Sequence, residues 1–319
     1  MPKIAITRII PESGIKLLKE SCDVILWPDE LPPNREELLE FVKGVDGILS
    51  MLSDRIDVEV MDAAGPQLKV VTNYAVGYDN IDIKAAKERG IRVGNTPGVL
   101  TETTADLAWA LMMAASRRIV EGQEYVQEGN WKTWGPKLLQ GYEFNGKTLG
   151  IVGFGRIGKA MARRGKGFNM NVLFYSPTAP LDYYEEYNAT KVDLDVLLKE
   201  CDYISLHCPL NDRSMGMFDI EAFGQMKKTA VLVNTARGKV IDTKALVEAL
   251  QTGKIAAAGL DVTEPEPIPM DNPLLTMKNV IITPHIGSAS YDARSRMSEM
   301  CAENILAGLK RKDLPFQVE

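Results

Sequence analysis

Short, β-branched apolar runs alternate with longer amphipathic stretches along this chain. In the first third the runs lie at 3–7, 23–27, 47–50, 68–72 and 91–95, and residues 14–22, 35–43 and 82–89 between them carry apolar positions at helical spacing. Runs of four or five residues with little polar interruption suit strands buried on both faces, and their alternation with helices is the βαβ rhythm of a parallel sheet covered on both sides. The rhythm restarts at Thr148, with runs at 149–153, 172–175, 203–207, 230–234, 256–261 and 280–283 and helical stretches at 157–168, 194–200, 221–226 and 243–250. The pattern therefore predicts an α/β fold of two doubly wound parallel-sheet domains with a cleft between them, the second sheet having six strands.

The segment joining the two rhythms reads differently. From Thr101 to about Gln127 it has few breaks and is rich in Ala, Met and Leu. Thr103-x-x-Asp106 fits a helix cap, and a helix apolar around most of its girth is a buried one. A last helical stretch, 292–309, follows the final strand and has no strand of its own. Its return to the first sheet would make that domain discontinuous, as residues 1–99 with 286–319, the other domain being 100–285. The proline-rich run Glu264-Pro265-Glu266-Pro267-Ile268-Pro269 predicts a stiff loop, because proline fixes φ and holds its predecessor extended.

Composition narrows the functions. Of 319 residues, 45% are apolar and 25% charged, the balance of a folded chain rather than a disordered one. A formal net charge of -6 argues against nucleic acid as the partner, since phosphate binding needs a surplus of Lys and Arg. The longest apolar run, Leu107 to Ala115, is far short of the roughly 18 residues of a membrane span, and Arg8 interrupts any leader-like core. Cys22, Cys201, Cys208 and Cys301 are widely separated and form no C-x-x-C pair, so neither a disulfide framework nor a zinc site is expected and a cytoplasmic setting is. Only two imidazoles, His207 and His285, are available to any acid–base chemistry.

The sharpest motif is Gly153-x-Gly155-x-x-Gly158, directly after an apolar strand and opening a helix at Arg156 and Ile157. The first glycine allows a tight turn, the second lets a pyrophosphate approach the backbone, and the third lets helix and strand pack closely. This is the Rossmann dinucleotide fingerprint. The acid expected some 20 residues on, to hold an NAD ribose, is absent: Ser176, Pro177 and Thr178 end the next strand. Two hydroxyls and no carboxylate favour NADP(H), with NAD(H) left open and Arg156 the nearest basic group. Polar or special residues also end the other strands of this half: His207, Asn234, Asp261 and, just beyond the last, His285. In parallel sheets ligands bind outside those carboxyl ends.

Three residues in the loops beyond these strand ends suit carbonyl reduction. Arg237 follows a buried strand in Asn234-Thr235-Ala236-Arg237-Gly238 and offers a planar fork for a carboxylate. Glu266 lies in the proline-rich loop, and His285 stands among small residues that leave room for a ligand. Arg237 would bind the substrate carboxylate and polarise the adjacent C=O, His285 would protonate its oxygen, and Glu266 would pair with the imidazole and fix its tautomer. His207, beside Cys208-Pro209, reads as structural.

The motifs GFGRIG at 153–158, NTARGKVID at 234–242, GLDVTEPEP at 259–267 and TPHIGSAS at 283–290 resemble the D-isomer-specific 2-hydroxyacid dehydrogenases over essentially the whole chain. NYAVGYDNID at 73–82 and NTPGVLTETTADLAWAL at 95–111 look like its glyoxylate/hydroxypyruvate reductase branch. The resemblance implies a flavodoxin-like substrate domain beside the Rossmann domain, and reduction of glyoxylate or hydroxypyruvate with Arg237, Glu266 and His285 as the catalytic set. It implies a substrate carboxylate held by Val76 and Gly77 N–H groups, with Ser288 nearby. It brings Thr104, Cys208, Thr235, Ala236, Asp261 and Gly287 to the cofactor beside the fingerprint residues. It also implies a homodimer formed through the nucleotide domain and the long helix after Thr101; Trp134, just beyond that helix, is expected to reach the partner's substrate pocket. A phosphoglycerate-type dehydrogenase and a non-catalytic, nucleotide-sensing corepressor-like scaffold are the alternatives.

Overall fold

The computed structural model describes residues 1–179 and 187–318. The chain divides into two compact units, Met1–Leu100 with Ser288–Glu319, and Thr101–Gly287. Among the described residues, no helix is long and apolar enough to cross a membrane.

The first unit is built on β1 (Lys3–Ile6), β2 (Asp23–Leu26), β3 (Gly47–Ser50), β4 (Val70–Asn73) and β5 (Arg92–Gly94), paired in parallel in the order β2-β1-β3-β4-β5. This is a doubly wound order of the flavodoxin kind. The connecting helices are α1 (Glu12–Lys19), α2 (Arg35–Phe41), α3 (Val58–Ala64) and α4 (Ile83–Glu88). Asn34, Asp57 and Asp82 cap the last three by accepting backbone N–H bonds in their first turns. Strands β3 and β4 are buried along their whole length, which is why they lack the apolar–polar alternation of a strand with one wet face.

In the second unit, α5 (Thr101–Ser116) and α6 (Ile119–Gln127) precede β6 (Thr148–Val152), α7 (Arg156–Gly167), β7 (Asn171–Tyr175) and β8 (Ala189–Lys191). They are followed by α8 (Leu194–Glu200), β9 (Tyr203–Leu206), α9 (Ile220–Gln225), β10 (Val231–Asn234), α10 (Thr243–Gln251), β11 (Ala257–Leu260) and β12 (Val280–Ile282). The parallel sheet runs β12-β11-β10-β9-β6-β7-β8 among the described residues. The direction of winding reverses between β6 and β9, the switch point at which such sheets bind nucleotides. The sheet has one strand more than the apolar runs predict. Strand β8 is a three-residue edge strand pairing with β7, too short and too polar to register as a run.

The single long helix expected from Thr101 to Gln127 is two helices. Arg118 adopts a left-handed backbone, with φ of 54°, and its guanidinium turns back to Glu121 at 2.7 Å. Only α5 is buried; α6 has no buried residue. The helix also begins at Thr101, so Thr103 lies inside its first turn rather than at a cap, and Asp106 pairs with Arg164 of α7. The final helix, α11 (Tyr291–Leu309), packs in the first unit, where Ser298 Oγ accepts from the Gly14 N–H of α1 at 3.0 Å.

Candidate active site

The turn after β6 needs its glycines. Gly153 has φ of 94°, and a Cβ there would meet the backbone of His207 and Cys208, just beyond the carboxyl end of β9. A Cβ on Gly158 would strike the Gly153 carbonyl, so helix α7 rests directly on the turn. Gly155, the N-cap residue of α7, has open space where a Cβ would stand, and no side chain caps the helix. The first-turn N–H groups of Arg156, Ile157 and Gly158 thus face an uncrowded glycine, the condition for an anion to settle there. Thr235 Oγ1, just beyond β10, is buried without a hydrogen-bond partner. An uncapped helix start, an open glycine and an orphaned hydroxyl at these strand ends fit a dinucleotide.

Ser176 at the end of β7 is buried, while Pro177 and Thr178 are exposed. Cys208 is partly exposed, and burial of its thiol pushes the pKa up to about 11, so it is no nucleophile at neutral pH. Ala236 is buried, and its N–H donates to Asn234 Oδ1 at 2.9 Å. Asp261 is 2% exposed and gathers the next loop around itself. One carboxylate oxygen accepts from Thr283 Oγ1 at 2.6 Å and Ile286 N–H at 2.8 Å, and the other from Gly287 N–H at 2.7 Å. A Cβ on Gly287 would touch both Asp261 and Thr104, so these three expected cofactor contacts are neighbours.

The three residues singled out for carbonyl reduction follow β10, β11 and β12, adjacent strands in the sheet. With a strand spacing of about 4.8 Å, their loops rise within roughly 10 Å of one another. Asn234 shapes the Arg237 turn, its Nδ2 donating to the Arg237 carbonyl at 2.8 Å, and Arg237 Nη1 donates to the Ala236 carbonyl at 2.8 Å. Glu266 Oε1 meets His285 Nδ1 at 2.5 Å. That bond occupies Nδ1, and Nε2 has no partner among the described residues. His285 has φ of 54°, a left-handed backbone held by its N–H donating to the Asp261 and Thr283 carbonyls, each at 3.0 Å. Side chains rarely adopt this conformation, which costs on the order of 1 kcal/mol and persists where surrounding bonds over-determine it.

Val76, Gly77 and Ser288 belong to the first unit. The Val76 and Gly77 N–H groups have no partner among the described residues, whereas their carbonyls accept from Asn95 Nδ2 at 2.7 Å and Asn73 Nδ2 at 2.8 Å. The Ser288 carbonyl accepts from Arg294 Nε at 3.3 Å. Trp134 is 79% exposed.

Gly238 adds a determinant that no side-chain chemistry marks in the sequence. A Cβ there would collide with the backbone of Thr263 and Glu264, so its bareness brings the Arg237 turn against the Glu266 loop. The only sequence signal for it is the glycine itself, directly after the arginine.

His207 shares Nε2 with Ser205 Oγ at 2.7 Å, and its Nδ1 is buried without a partner. Burial lowers its pKa to about 3 from an ordinary 6.5. The unfolded chain therefore binds a proton between these values that the folded chain refuses, and stability falls as pH drops from 6.5 towards 3, by about 1.4 kcal/mol per unit in mid-range. Urea unfolding of His207→Asn should accordingly lose less stability between pH 6.5 and 4.5 than the parent. Parallel pH profiles for the two would contradict this assignment.

Residues 109–287 match the family described as D-isomer specific 2-hydroxyacid dehydrogenase, NAD binding domain. A glyoxylate reductase of Korarchaeum cryptofilum is 53% identical over 315 residues, covering 98% of this chain and 94% of that protein. The crystal structure of a protein from Thermus thermophilus superposes with a TM-score of 0.94 at 46% identity, covering 99% of this chain and all of that one. An NADPH-dependent glyoxylate/hydroxypyruvate reductase from Sinorhizobium meliloti, in complex with NADP and malonate, superposes with a TM-score of 0.86 at 31% identity, covering 99% and 96% of the two chains.

Proposed function

The chain belongs to the D-isomer specific 2-hydroxyacid dehydrogenase family, and on that premise we propose that it reduces a small 2-oxoacid, glyoxylate or hydroxypyruvate, to the 2-hydroxyacid. The observation that carries this reading is the Glu266–His285 pair at 2.5 Å beside the Arg237 turn, at the ends of three adjacent strands. The bound dihydronicotinamide supplies the hydride. Arg237 holds the substrate carboxylate through its fork and polarises the neighbouring C=O. The N–H groups of Val76 and Gly77 also receive the carboxylate, and Ser288 adds a polar contact. His285 Nε2 delivers the proton to the carbonyl oxygen, while Glu266 accepts from Nδ1–H, orients the ring and balances the charge of the imidazolium that gives the proton up.

The nucleotide is held by Gly153, Gly155, Arg156, Ile157 and Gly158 at its pyrophosphate, and by Thr104, Cys208, Thr235, Ala236, Asp261 and Gly287 towards its nicotinamide half. Ser176, Pro177 and Thr178 receive the adenosine ribose, and with no acid among residues 171–179 we assign NADP(H) as the preferred form. The experiment is a panel of glyoxylate, hydroxypyruvate and pyruvate with NADPH and NADH. Glyoxylate or hydroxypyruvate should give the highest kcat/KM, and NADPH should exceed NADH; no turnover of either oxoacid with either nucleotide would overturn the reading. Turnover also separates it from a nucleotide-sensing scaffold, and the absent acid at the end of β7 speaks against a phosphoglycerate-type enzyme.

We further assign a homodimer in the cytoplasm, a compartment that four unpaired thiols suit. The stretch 119–142 exposes Ile119, Val120, Val126, Trp131 and Trp134 on one continuous length of chain, the composition of a surface awaiting a second copy. Trp134 then reaches the substrate pocket of the partner subunit. Trp134→Ala should change the ratio of kcat/KM for hydroxypyruvate over glyoxylate by about fivefold, a loss of roughly 1 kcal/mol of contact, and leave the KM for NADPH within about twofold. An unchanged ratio would remove Trp134 from the pocket.

A further inference from the structure

Three successive carbonyls in the connection from β4 to α4 are tied back into the first unit. The Ala75 carbonyl accepts from the Thr96 N–H at 2.9 Å, that of Val76 from Asn95 Nδ2 at 2.7 Å, and that of Gly77 from Asn73 Nδ2 at 2.8 Å. In a planar trans peptide the carbonyl and the following N–H point in opposite directions. Each tie therefore turns an N–H, of Val76, Gly77 and Tyr78 in turn, away from the group holding its carbonyl. None of these N–H groups has a protein acceptor among the described residues.

Asn73 is the most tightly determined part of this device. It is fully buried at the end of β4, and its amide is engaged at both ends. Nδ2 donates to the Gly77 carbonyl and to Asn80 Oδ1 at 2.9 Å, while Oδ1 accepts from Ser50 Oγ at 3.1 Å. Asn80 Nδ2 in turn reaches the Met51 and Asp54 carbonyls at 3.0 and 2.8 Å. An amide fits this place because it donates and accepts at once; a carboxylate of the same shape would set an oxygen against the Gly77 carbonyl.

We propose that Asn73 and Asn95 are positioning residues for substrate recognition: Asn95, holding the Val76 carbonyl, presents the Gly77 N–H to a carboxylate, and Asn73, holding the Gly77 carbonyl, presents the adjoining Tyr78 N–H to the same group, so that the loop favours 2-oxoacids over their neutral esters. The inference rests on the role given above to Val76 and Gly77.

The test uses the NADPH-bound enzyme with glyoxylate, its methyl ester and the unreactive analogue oxamate. Asn73→Asp should raise the KM for glyoxylate about tenfold, the value of one lost oriented hydrogen bond to a charge. The kcat, the NADPH affinity and kcat/KM for the ester should stay within about threefold, the scatter of minor rearrangement. Asn80→Ser, at a partly exposed loop position, loosens the same amide and should move the KM in the same direction should Asn73→Asp fail to fold. Equal losses for glyoxylate and ester would make Asn73 merely structural and overturn the inference, as would an unchanged KM. Selective 15N labelling of valine and glycine separates this from the reading beneath it. If the Val76 and Gly77 amide resonances of the parent do not move with oxamate, that reading fails. If they move with the same affinity in the parent and in the variant, the reading stands and the inference falls.

Discussion

Replacing His285 with Ala lowers kcat for glyoxylate reduction by about 10³-fold, the contribution of a positioned general acid, and leaves the NADPH dissociation constant within about twofold. Glu266 occupies Nδ1 at 2.5 Å, so Nε2, unpartnered among the described residues, is the ring atom free to serve the substrate. The loop does not depend on the imidazole, because Asp261 gathers Thr283, Ile286 and Gly287 through its own carboxylate. Loss of activity through misfolding is separable from loss of chemistry. Asparagine tolerates the left-handed backbone at φ 54° better than most residues. His285→Asn should therefore fold at least as well as the parent and still be inactive. Glu266→Gln should fall between parent and His285→Ala in kcat. A His285→Ala enzyme retaining more than a tenth of the parent kcat would remove the proton-donor role.

Arg237→Gln should reduce kcat/KM for glyoxylate by about 10³-fold, through both a higher KM and a lower kcat, because a charged fork that anchors and orients the substrate is lost. The turn itself should survive, being shaped by Asn234 and by the close approach of Gly238 to Thr263 and Glu264 rather than by the guanidinium. Arg237→Lys should recover only part of the loss, since an ammonium cannot pair with a carboxylate through two parallel bonds. Added guanidinium ion should partly restore Arg237→Gln and leave the parent unchanged. A fall of less than tenfold in the glutamine variant would place the substrate elsewhere.

Much of the fold is legible in the order of residues alone. The alternation of apolar runs and amphipathic stretches is a local signal of strands buried on both faces, and it located both parallel sheets. Gly153, Gly155 and Gly158 were legible because each satisfies a backbone demand that only the smallest residue meets. Arg237, Glu266 and His285 stand out because strand ends in a parallel sheet point to one side and reactive residue types lie in the loops that follow three of them. Strand β8 was missed because an edge strand of three residues needs no apolar run. The break at Arg118 was missed because helical spacing continues across it. Gly238 and Asn73 were invisible as functional positions, since their roles lie in what they approach, and those partners are distant in sequence or oriented only by the folded loop.

By itself, then, the order of residues determined the α/β class, the two parallel sheets, the nucleotide turn and the chemical types that could meet a 2-oxoacid, since these depend on burial periodicity and on the intrinsic geometry of glycine and proline. Tertiary structure alone decided that Glu266 meets Nδ1 of His285, that His285 is held left-handed, and that the carbonyls of Val76 and Gly77 are tied back by buried amides. Those are hydrogen bonds between groups on different strands and loops. Their direction is set by where the backbones lie once the sheet has formed, and no periodicity along the chain encodes it.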